Sequence, residues 1–275
     1  MKILSAFKEH KEFKKNKPWS YWDRALNFDA FITPPHYAET IEILVFNNVE
    51  GDVYIGGNHF SSTGNQVYFV APNVVHAINY KASNGKIMTL KINPVQLKPL
   101  LDLDTLLEYH QRTYSELPIN LPKYEEMLKV ADVFKNSDDI NEILISILNF
   151  FSMLIAHSNT HDNIRKTISL EDNKLRSIIE WTEQNCMRKL SLDEVSSSFG
   201  YTKHYFCQKF KKATGITYVT YLNTLRISRA CKLLKSGKTI TQTCDECGFE
   251  DISYFSQLFK KITGLSPKNY VRSIQ

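Results

Sequence analysis

The C-terminal part of the chain contains one segment written twice, and this repeat constrains the possible fold more than any other feature. Residues 192–221 read LDEVSSSFGYTKHYFCQKFKKATGITYVTY, and residues 240–270 read ITQTCDECGFEDISYFSQLFKKITGLSPKNY. The matched positions are Gly200 with Gly248, Tyr205-Phe206 with Tyr254-Phe255, Phe210-Lys211-Lys212 with Phe259-Lys260-Lys261, Thr214-Gly215 with Thr263-Gly264, and Tyr221 with Tyr270. Each copy places a glycine turn between two short helical stretches and ends in paired lysines. This pattern predicts a doubled helix-turn-helix that reads DNA.

The charge of the chain is uneven along its length. Its 275 residues are enough for two domains of ordinary size. Residues 1–160 carry 15 Lys+Arg and 18 Asp+Glu, whereas residues 161–275 carry 19 Lys+Arg and 11 Asp+Glu. The basic excess therefore coincides with the repeat, as expected if only this half meets phosphate. Charge alone would also suit RNA or an acidic membrane.

Three features of the sequence predict a cytoplasmic protein that does not enter a membrane. The apolar run at the N-terminus is too short for a signal peptide. The most apolar stretch, Ile143 to Ala156, has 14 residues, and a membrane span needs roughly 20, so we expect a buried helix there. The five cysteines lie in the C-terminal half at an odd count, which favours a reduced, cytoplasmic chain without disulfides.

The N-terminal half predicts an antiparallel sheet followed by helices. Short runs rich in Val, Ile, Tyr and Phe fill residues 40–92 between turn residues, as in a small barrel or sandwich. Helical periodicity then covers 122–135 and 140–155. The apolar stripe of the second helix either packs on its own domain or pairs across a homodimer, with 138–157 as the expected seam. We expect an effector-binding and dimerisation domain over 1–158, a polar linker over 159–173 and a DNA-binding domain over 174–275.

The C-terminal domain is predicted to be entirely helical, with an α+β architecture for the whole chain. Its expected helices span 174–186, 192–199, 202–213, 218–234, 241–247 and 252–262. The helix-turn-helix units cover about 191–214 and 239–264, and the long helix 218–234 joins them. Thr202 and Asp251 are placed to cap the second helix of each unit, and Gly215 and Gly264 to end it.

The second helix of each unit has two faces. Phe206 and Phe210 in the first unit, and Phe255 and Phe259 in the second, repeat at i and i+4 and should anchor the helix in the core. The opposite face is left for the major groove, where Gln208 and Gln257 could each make a bidentate contact to adenine. The lysine pairs at its end are expected to hold backbone phosphates without selecting sequence.

From about Lys174 onward the chain resembles the DNA-binding domain of AraC/XylS-type bacterial transcription regulators. The residues that carry this resemblance are Arg226-Ile-Ser-Arg-Ala230, Leu233-Leu234, Gly248-Phe249, Tyr254-Phe255-Ser256, Phe259-Lys260-Lys261, Gly264-Leu-Ser-Pro267 and Tyr270. In that family the two recognition helices enter successive major grooves, about one helical turn apart. The resemblance implies base contacts from His204, Cys207, Gln208, Ile252, Ser253, Ser256 and Gln257. The expected phosphate contacts are Lys203, Lys211, Lys212, Lys260 and Lys261.

The chain departs from the family pattern in the first helix of each unit. Ser196 and Cys244 stand where a small Ala is usual, Thr243 where an aliphatic residue is usual, and Cys247 where Val is common. Cys244 and Cys247 form a Cys-x-x-Cys pair, but a zinc site needs about four ligands and the sequence offers no second pair or histidine motif to complete it. We therefore expect both cysteines to be buried packing residues.

The N-terminal domain more loosely resembles the cupin-like sensor of the same family. The segments His36-Tyr-Ala-Glu-Thr-Ile-Glu42 and Pro72-Asn-Val-Val-His76 resemble the two halves of a cupin metal motif, with Ala38 in place of its second histidine. The favoured interpretation is a pocket for a small polar effector that includes His36, Glu42, His76 and Trp22, with no metal or other cofactor. These residues could instead be ordinary turn positions, and Trp22, with Trp19 and Tyr21, could pack on the barrel exterior.

Together these observations predict a bacterial transcription regulator and not an enzyme. By resemblance it activates transcription in response to a small molecule, such as a sugar. Its expected partners are double-stranded promoter DNA, the effector, RNA polymerase and a second copy of the chain. Two alternatives stay open: a cupin-type metal enzyme with a basic helical appendage, and a regulator whose barrel serves only dimerisation.

Overall fold

A computed structural model describes residues 17–25, 30–81, 84–110, 112–114, 117, 119–121, 123–160 and 170–274. Most of the basic N-terminal segment (Lys8, Lys11, Lys14 and Lys15) lies outside the described residues. The central part of the expected linker, 161–169, also lies outside them.

The N-terminal domain is built on an antiparallel sheet. Its strands are β1 (Trp19–Ala25), β2 (Ala30–His36), β3 (Ile41–Ile55), β4 (Asn58–Val70), β5 (His76–Lys81), β6 (Lys86–Ile92) and β7 (Asn120–Leu121). β3 lies at the centre, because its first half pairs with β6, its second half with β5, and both halves with β4. The expected antiparallel β architecture is confirmed.

One long strand replaces two that the sequence predicts separately. The sequence predicts two short strands at 40–48 and 51–57, but in the structure they form the single strand β3. A bulge interrupts its pairing with β4 between Phe46 and Val49, and Asn48 there adopts a φ of 52°. A bulge bends a strand and increases its twist. β3 keeps β4 as its neighbour on one edge, while its neighbour on the other edge changes from β6 to β5.

Four helices follow or cover the sheet: α1 (Pro94–Leu97), α2 (Leu103–Tyr109), α3 (Tyr124–Asn136) and α4 (Ile140–Thr160). The two short ones were not predicted, although both begin with side-chain caps, from Asn93 and Asp102. The two long ones confirm the predicted helices at 122–135 and 140–155. They pack together on the sheet and bury its core.

Helix α4 is longer than its sequence suggests. The 14-residue apolar stretch lies within a 21-residue helix, and 19 of its residues, Ile140–Ser158, are long and apolar enough to cross a membrane by length and composition. Its inward side chains, however, are core residues: Ile143, Ile147, Phe151 and Leu154 have no exposed area. Such a test is also passed by the core helix of a globular domain, and one side of α4 packs into the core of the sheet domain.

The C-terminal domain contains α5 (Leu170–Asn185), α6 (Leu192–Ser198), α7 (Lys203–Thr214), α8 (Tyr218–Lys235), α9 (Ile240–Glu246), α10 (Ile252–Thr263) and α11 (Pro267–Ile274). Helix α4 ends at Thr160 and α5 begins at Leu170, so both ends of the expected linker 159–173 are helical.

Two separate hydrophobic clusters support the two helix-turn-helix units. The first lies beneath α7 and includes Phe206, Phe210 and Tyr218, while the second lies beneath α10 and includes Phe255 and Phe259. Helix α8 supplies buried side chains to both clusters. It therefore joins the units through packing as well as through the chain.

Replacing Phe151 by Ala should lower the free energy of unfolding by about 3–5 kcal/mol, because the buried ring would leave a cavity. Glu142→Ala on the same helix is the control, since Glu142 is exposed and its loss should change the free energy of unfolding by only about 0.5 kcal/mol. Denaturant unfolding of both variants measures the difference. Equal losses would contradict the assignment of the two faces of α4.

Candidate DNA interface and ligand pocket

The second helix of each unit begins and ends as its sequence predicts. The Thr202 hydroxyl accepts the backbone N–H of Tyr205 at the start of α7, and the Asp251 carboxylate accepts that of Tyr254 at the start of α10. Gly215 and Gly264 end the two helices with φ values of 76° and 81°. A left-handed residue at this position favours glycine, so the helix limits are fixed by local chemistry.

The first helix of each unit is also capped. Ser191 accepts the backbone N–H of Glu194 before α6, and Thr239 forms a reciprocal capping box with Gln242 before α9. The turn after α9 contains Gly248 at φ 73°. A Cβ added there would lie 2.9 Å from the carbonyl oxygen of Met187, so this turn requires glycine for both conformation and space.

The two recognition helices bury the predicted phenylalanines and expose the opposite face. Phe206 and Phe210 are 1% and 2% exposed, and Phe255 and Phe259 are fully buried. Most candidate base-reading and phosphate-contacting side chains are exposed: His204, Gln208, Ile252, Ser253, Gln257, Lys203, Lys211, Lys212, Lys260 and Lys261. Cys207 and Ser256 are only partly exposed.

Some of these side chains already contact protein partners. The ammonium of Lys203 lies 2.9 Å from a carboxylate oxygen of Asp193, and the amide nitrogen of Gln208 lies 3.4 Å from Nε2 of His204. A phosphate that binds Lys203 would therefore compete with Asp193. The contact between Gln208 and His204 would hold both side chains in position before DNA arrives.

Two exposed tyrosines were missed as candidates for the DNA surface. Tyr205 on α7 and Tyr254 on α10 are 48% and 50% exposed. The Tyr254 hydroxyl accepts a 3.1 Å hydrogen bond from the Asn223 amide on α8. The repeat carried this signal, because the two tyrosines occupy matched positions directly before the buried phenylalanines.

Arg226 on α8 links the two units. Its guanidinium donates to the carbonyl oxygens of Cys186 and Arg188, both at 2.8 Å, and lies 5.5 Å from the centre of the Phe249 ring. Burial lowers the pKa of this guanidinium, yet two carbonyl acceptors and an aromatic face compensate the buried charge. One side chain thus holds the end of α5, helix α8 and the second turn together.

The four residues predicted for an effector pocket line one cavity. Trp22, His36, Glu42 and His76 surround a space of about 110 Å³. The other lining residues are Thr33, Pro34, Pro35, Leu44, Ile78, Tyr80, Thr89, Lys91, Glu183 and Leu225. Glu183 and Leu225 belong to α5 and α8 of the C-terminal domain, and no sequence pattern indicates that they line this cavity.

Glu42 lies at the centre of a buried ion-pair network. Its carboxylate oxygens lie 2.7 Å from the ammonium of Lys91 and 3.4 Å from Nε2 of His76. Burial alone would raise the pKa of Glu42, but its hydrogen bond to His76 and the charges of His76 and Lys91 outweigh burial and hold the pKa well below its usual range. The carboxylate is therefore ionised.

His36, Glu42 and His76 could also hold a divalent metal ion. Their ligand atoms lie within 4.8 Å of one another. Nδ1 of His36 contacts the Pro34 carbonyl at 2.9 Å and Nδ1 of His76 contacts the Val74 carbonyl at 3.2 Å. A carbonyl only accepts, so each Nδ1 carries its proton and Nε2 is the ring nitrogen left to bind a metal, but Nε2 of His76 already contacts the Glu42 carboxylate. The Lys91 ammonium on Glu42 opposes metal binding, because it already neutralises the carboxylate.

The repeat matches a known domain family, and most of the chain is similar to known transcriptional activators. A family model described as a helix-turn-helix domain matches residues 195–273, which include most of both units. The HTH-type transcriptional activator RhaS of Salmonella schwarzengrund is 23% identical over 240 residues, 86% of each chain. RhaS of Escherichia coli O81 is 24% identical over 244 residues, with the same coverage.

The chain is similar to AraC/XylS-type transcription regulators. Among solved structures, ToxT of Vibrio cholerae O395 bound to (E)-4-(8-methylnaphthalen-1-yl)but-3-enoic acid is 15% identical, with a TM-score of 0.45. That comparison covers 94% of this chain and 98% of the ToxT chain.

The chain buries its two unusual cysteines as predicted. Cys244 and Cys247 are 2% and 0% exposed. Burial raises the pKa of Cys247 to about 12, so its thiol stays protonated at neutral pH and acts as a small apolar group. The predicted burial of the Cys-x-x-Cys pair is confirmed.

Thr243, where AraC/XylS-type regulators usually carry an aliphatic residue, leaves a buried hydroxyl without a hydrogen-bond partner among the described residues. Replacing it by Val keeps the shape and removes this polar atom, so Thr243→Val should raise the free energy of unfolding by about 1 kcal/mol. Thr241→Val is the control, because Thr241 is exposed on the same helix and should change little. Thermal unfolding measures both, and a destabilised Thr243→Val protein would contradict the expectation.

Proposed function

We propose that the chain activates transcription in a bacterial cytoplasm by placing α7 and α10 in two adjacent major-groove segments of a promoter. The main support is that both helices are anchored by buried phenylalanines and joined by one helix, α8, so that their outward faces are presented together. An asymmetric site of two segments about one helical turn apart is expected. The relatives are named as activators, which favours activation through RNA polymerase.

In this proposal the polar residues on the exposed faces select bases and the lysines supply affinity. His204, Cys207 and Gln208 read the first segment; Ile252, Ser253, Ser256 and Gln257 read the second. Lys203, Lys211, Lys212, Lys260 and Lys261 bind phosphates, whose contribution falls with salt. The local basic excess supports this division, because 19 Lys+Arg stand against 11 Asp+Glu in residues 161–275.

Gln208→Ala and Gln257→Ala should each relax specificity at one base pair and weaken specific binding by about 1–3 kcal/mol, because a bidentate contact to a base is lost. Fluorescence anisotropy on a promoter fragment and on its single-base variants measures the effect. Since the Gln residues occupy matched positions in the repeat, the two variants should relax different base pairs.

Lys260→Ala is the matched contrast. It should weaken specific and scrambled fragments alike and reduce the slope of log affinity against log salt by about 1. If wild type binds specific and scrambled fragments equally and neither Gln variant changes this, sequence-specific reading by α7 and α10 is disproved.

The sheet domain is proposed to bind a small-molecule effector and to shift the chain between arrangements that differ in DNA affinity. The cavity around Trp22, His36, Glu42 and His76 supports this proposal, because buried polar side chains surround an open space there. A metal enzyme is the alternative, favoured by the arrangement of His36, Glu42 and His76. A regulator without effector control is the other alternative.

The chain is further proposed to form a homodimer through the 138–157 helix. While one side of α4 is buried in the core, its outer side exposes Ile145 and Leu148, at 58% and 38%. Exposed apolar side chains that share one helix face suit contact with a second copy.

An Ile145→Glu, Leu148→Glu double variant should weaken dimerisation at least about tenfold, close to 1.4 kcal/mol, because charges would have to be buried in the interface. Sedimentation equilibrium measures the change. Val95→Glu is the control, since Val95 is 77% exposed on α1 and is not part of the proposed seam. An unchanged dimer in the double variant would place the interface elsewhere.

A further inference from the structure

Each recognition helix carries a half-exposed tyrosine three residues before its candidate base-reading glutamine. Tyr205 precedes Gln208 on α7, and Tyr254 precedes Gln257 on α10. The two tyrosines are 48% and 50% exposed. Residues three apart lie side by side on a helix, so each phenol lies beside the side chain that is proposed to read a base. Both copies of the repeat thus keep a large ring with a polar end at the same exposed place.

The hydroxyl of Tyr254 has a defined direction. The side-chain amide nitrogen of Asn223 on α8 donates to it at 3.1 Å, and an amide nitrogen cannot accept a hydrogen bond. The phenol oxygen is therefore the acceptor, and its own proton is left to donate to another group. Asn223 is only 9% exposed, so the packing of α8 holds this donor in place.

The hydroxyl of Tyr205 is oriented in a comparable way, but by a charged group. The ammonium of Lys209, four residues further along α7, donates to this hydroxyl at 3.4 Å and lies 5.5 Å from the centre of the ring. An ammonium has no acceptor, so the phenol proton is again left for another group. The two units therefore reach the same arrangement with different donors.

Tyr205 also lines a cationic cleft beside α7, with a volume of about 290 Å³. Three lysines line it, Lys174, Lys209 and Lys212, and none of its described lining residues is acidic. The ammonium groups of Lys174 and Lys209 lie 4.2 Å and 5.7 Å from the centre of the Tyr201 ring. Like charges gathered in a cleft attract an anion, and a phenol that donates its proton suits an anion as well.

We propose that the hydroxyls of Tyr205 and Tyr254 each donate a hydrogen bond to one backbone phosphate of the promoter. Lys209 and Asn223 are positioning residues, because they direct these hydroxyls. This inference rests on the proposed DNA-binding function. It adds a neutral phosphate contact in each unit, and in the first unit it adds Lys174 of α5 as a cationic one. A phosphate held beside each glutamine fixes the register of the helix in the groove.

Tyr254→Phe removes the hydroxyl and keeps the ring. It should weaken binding to specific and to scrambled fragments by the same factor, about tenfold, because a hydrogen bond to a charged group is lost. The slope of log affinity against log salt should not change, since no cation is removed. Fluorescence anisotropy over a salt series measures both quantities. Tyr109→Phe is the control, because Tyr109 is 82% exposed on α2 of the sheet domain.

Asn223→Ala tests the positioning role. It should weaken DNA binding about as much as Tyr254→Phe does. The double variant should bind no more weakly than either single variant, because both changes remove the same contact. Thermal unfolding verifies that each variant is folded. Additive losses would show that Asn223 does not act through the Tyr254 hydroxyl.

Promoter fragments with a single methylphosphonate linkage identify the phosphates. Wild type should lose affinity at one linkage for each tyrosine, and the two linkages should lie about one helical turn apart. Tyr205→Phe and Tyr254→Phe should each show no further loss at its own linkage. A further loss at every linkage would assign the hydroxyls to other partners.

Lys174→Ala tests the cationic cleft. It should reduce the slope of log affinity against log salt by about 1, because one phosphate contact of a cation is lost. Lys129→Ala is the control, since Lys129 is exposed on α3 of the sheet domain and should leave the slope unchanged. Equal slopes in wild type and Lys174→Ala would remove Lys174 from the DNA surface.

The remaining outcomes separate this inference from the function on which it rests. If wild type binds specific and scrambled fragments equally, the proposed function itself fails. If wild type discriminates and both phenylalanine variants bind as wild type does, the tyrosine hydroxyls do not contact DNA and only this inference is overturned. A loss confined to the specific fragment would assign the hydroxyl to a base instead of a phosphate.

Discussion

The buried guanidinium of Arg226 is the interaction on which the arrangement of the DNA-binding domain depends. The two helix-turn-helix units have separate cores, and helix α8 contributes buried side chains to both. Arg226 reaches from α8 to the carbonyls at the end of α5 and to the Phe249 ring of the second unit. A buried charge is costly unless its donors are satisfied. This network therefore has one favourable geometry, and that geometry orients both units.

The same helix also lies at the contact between the domains. Leu225 lines the cavity of the sheet domain one residue before Arg226. On the other side of this contact, Gly215 ends α7 so close to the sheet that an added Cβ would lie 2.5 Å from the Tyr54 ring and from the Asn79 amide. The first recognition helix thus ends against the sheet domain, and α8 starts shortly after it. The sheet domain and the first helix-turn-helix unit therefore share a closely packed boundary.

The sheet domain contains two kinds of buried polar group. Glu42 and Lys91 satisfy each other, with His76 beside them, and this compensates their burial. Trp22 and Thr89 line the same cavity, and their polar side-chain atoms have no hydrogen-bond partner among the described residues, which a well-packed core avoids. The sheet domain thus combines a satisfied ion-pair network with buried neutral groups that are not satisfied by the described part of the chain.

Local chemistry determined much of this protein from sequence alone. The repeat, the caps at Thr202 and Asp251, the glycines that end α7 and α10, and the inward phenylalanines all depend on residues within a few positions of one another. The limits of the second helix in each unit were therefore predicted to within one residue. The candidates His36, Glu42, His76 and Trp22 were also named from sequence, although only the fold brings them to one cavity.

Tertiary structure decided the rest, because it depends on partners far apart in the chain. The merger of two predicted strands into β3 requires β5 and β6 as alternating neighbours, and the full length of α4 is set by the sheet that it covers. No local pattern pairs Trp22 with Thr89, or brings Glu183 to a cavity formed by strands that end more than ninety residues earlier. Such contacts depend on how the sheet folds and how the domains dock. Neither of these arrangements produces a periodic pattern in the sequence.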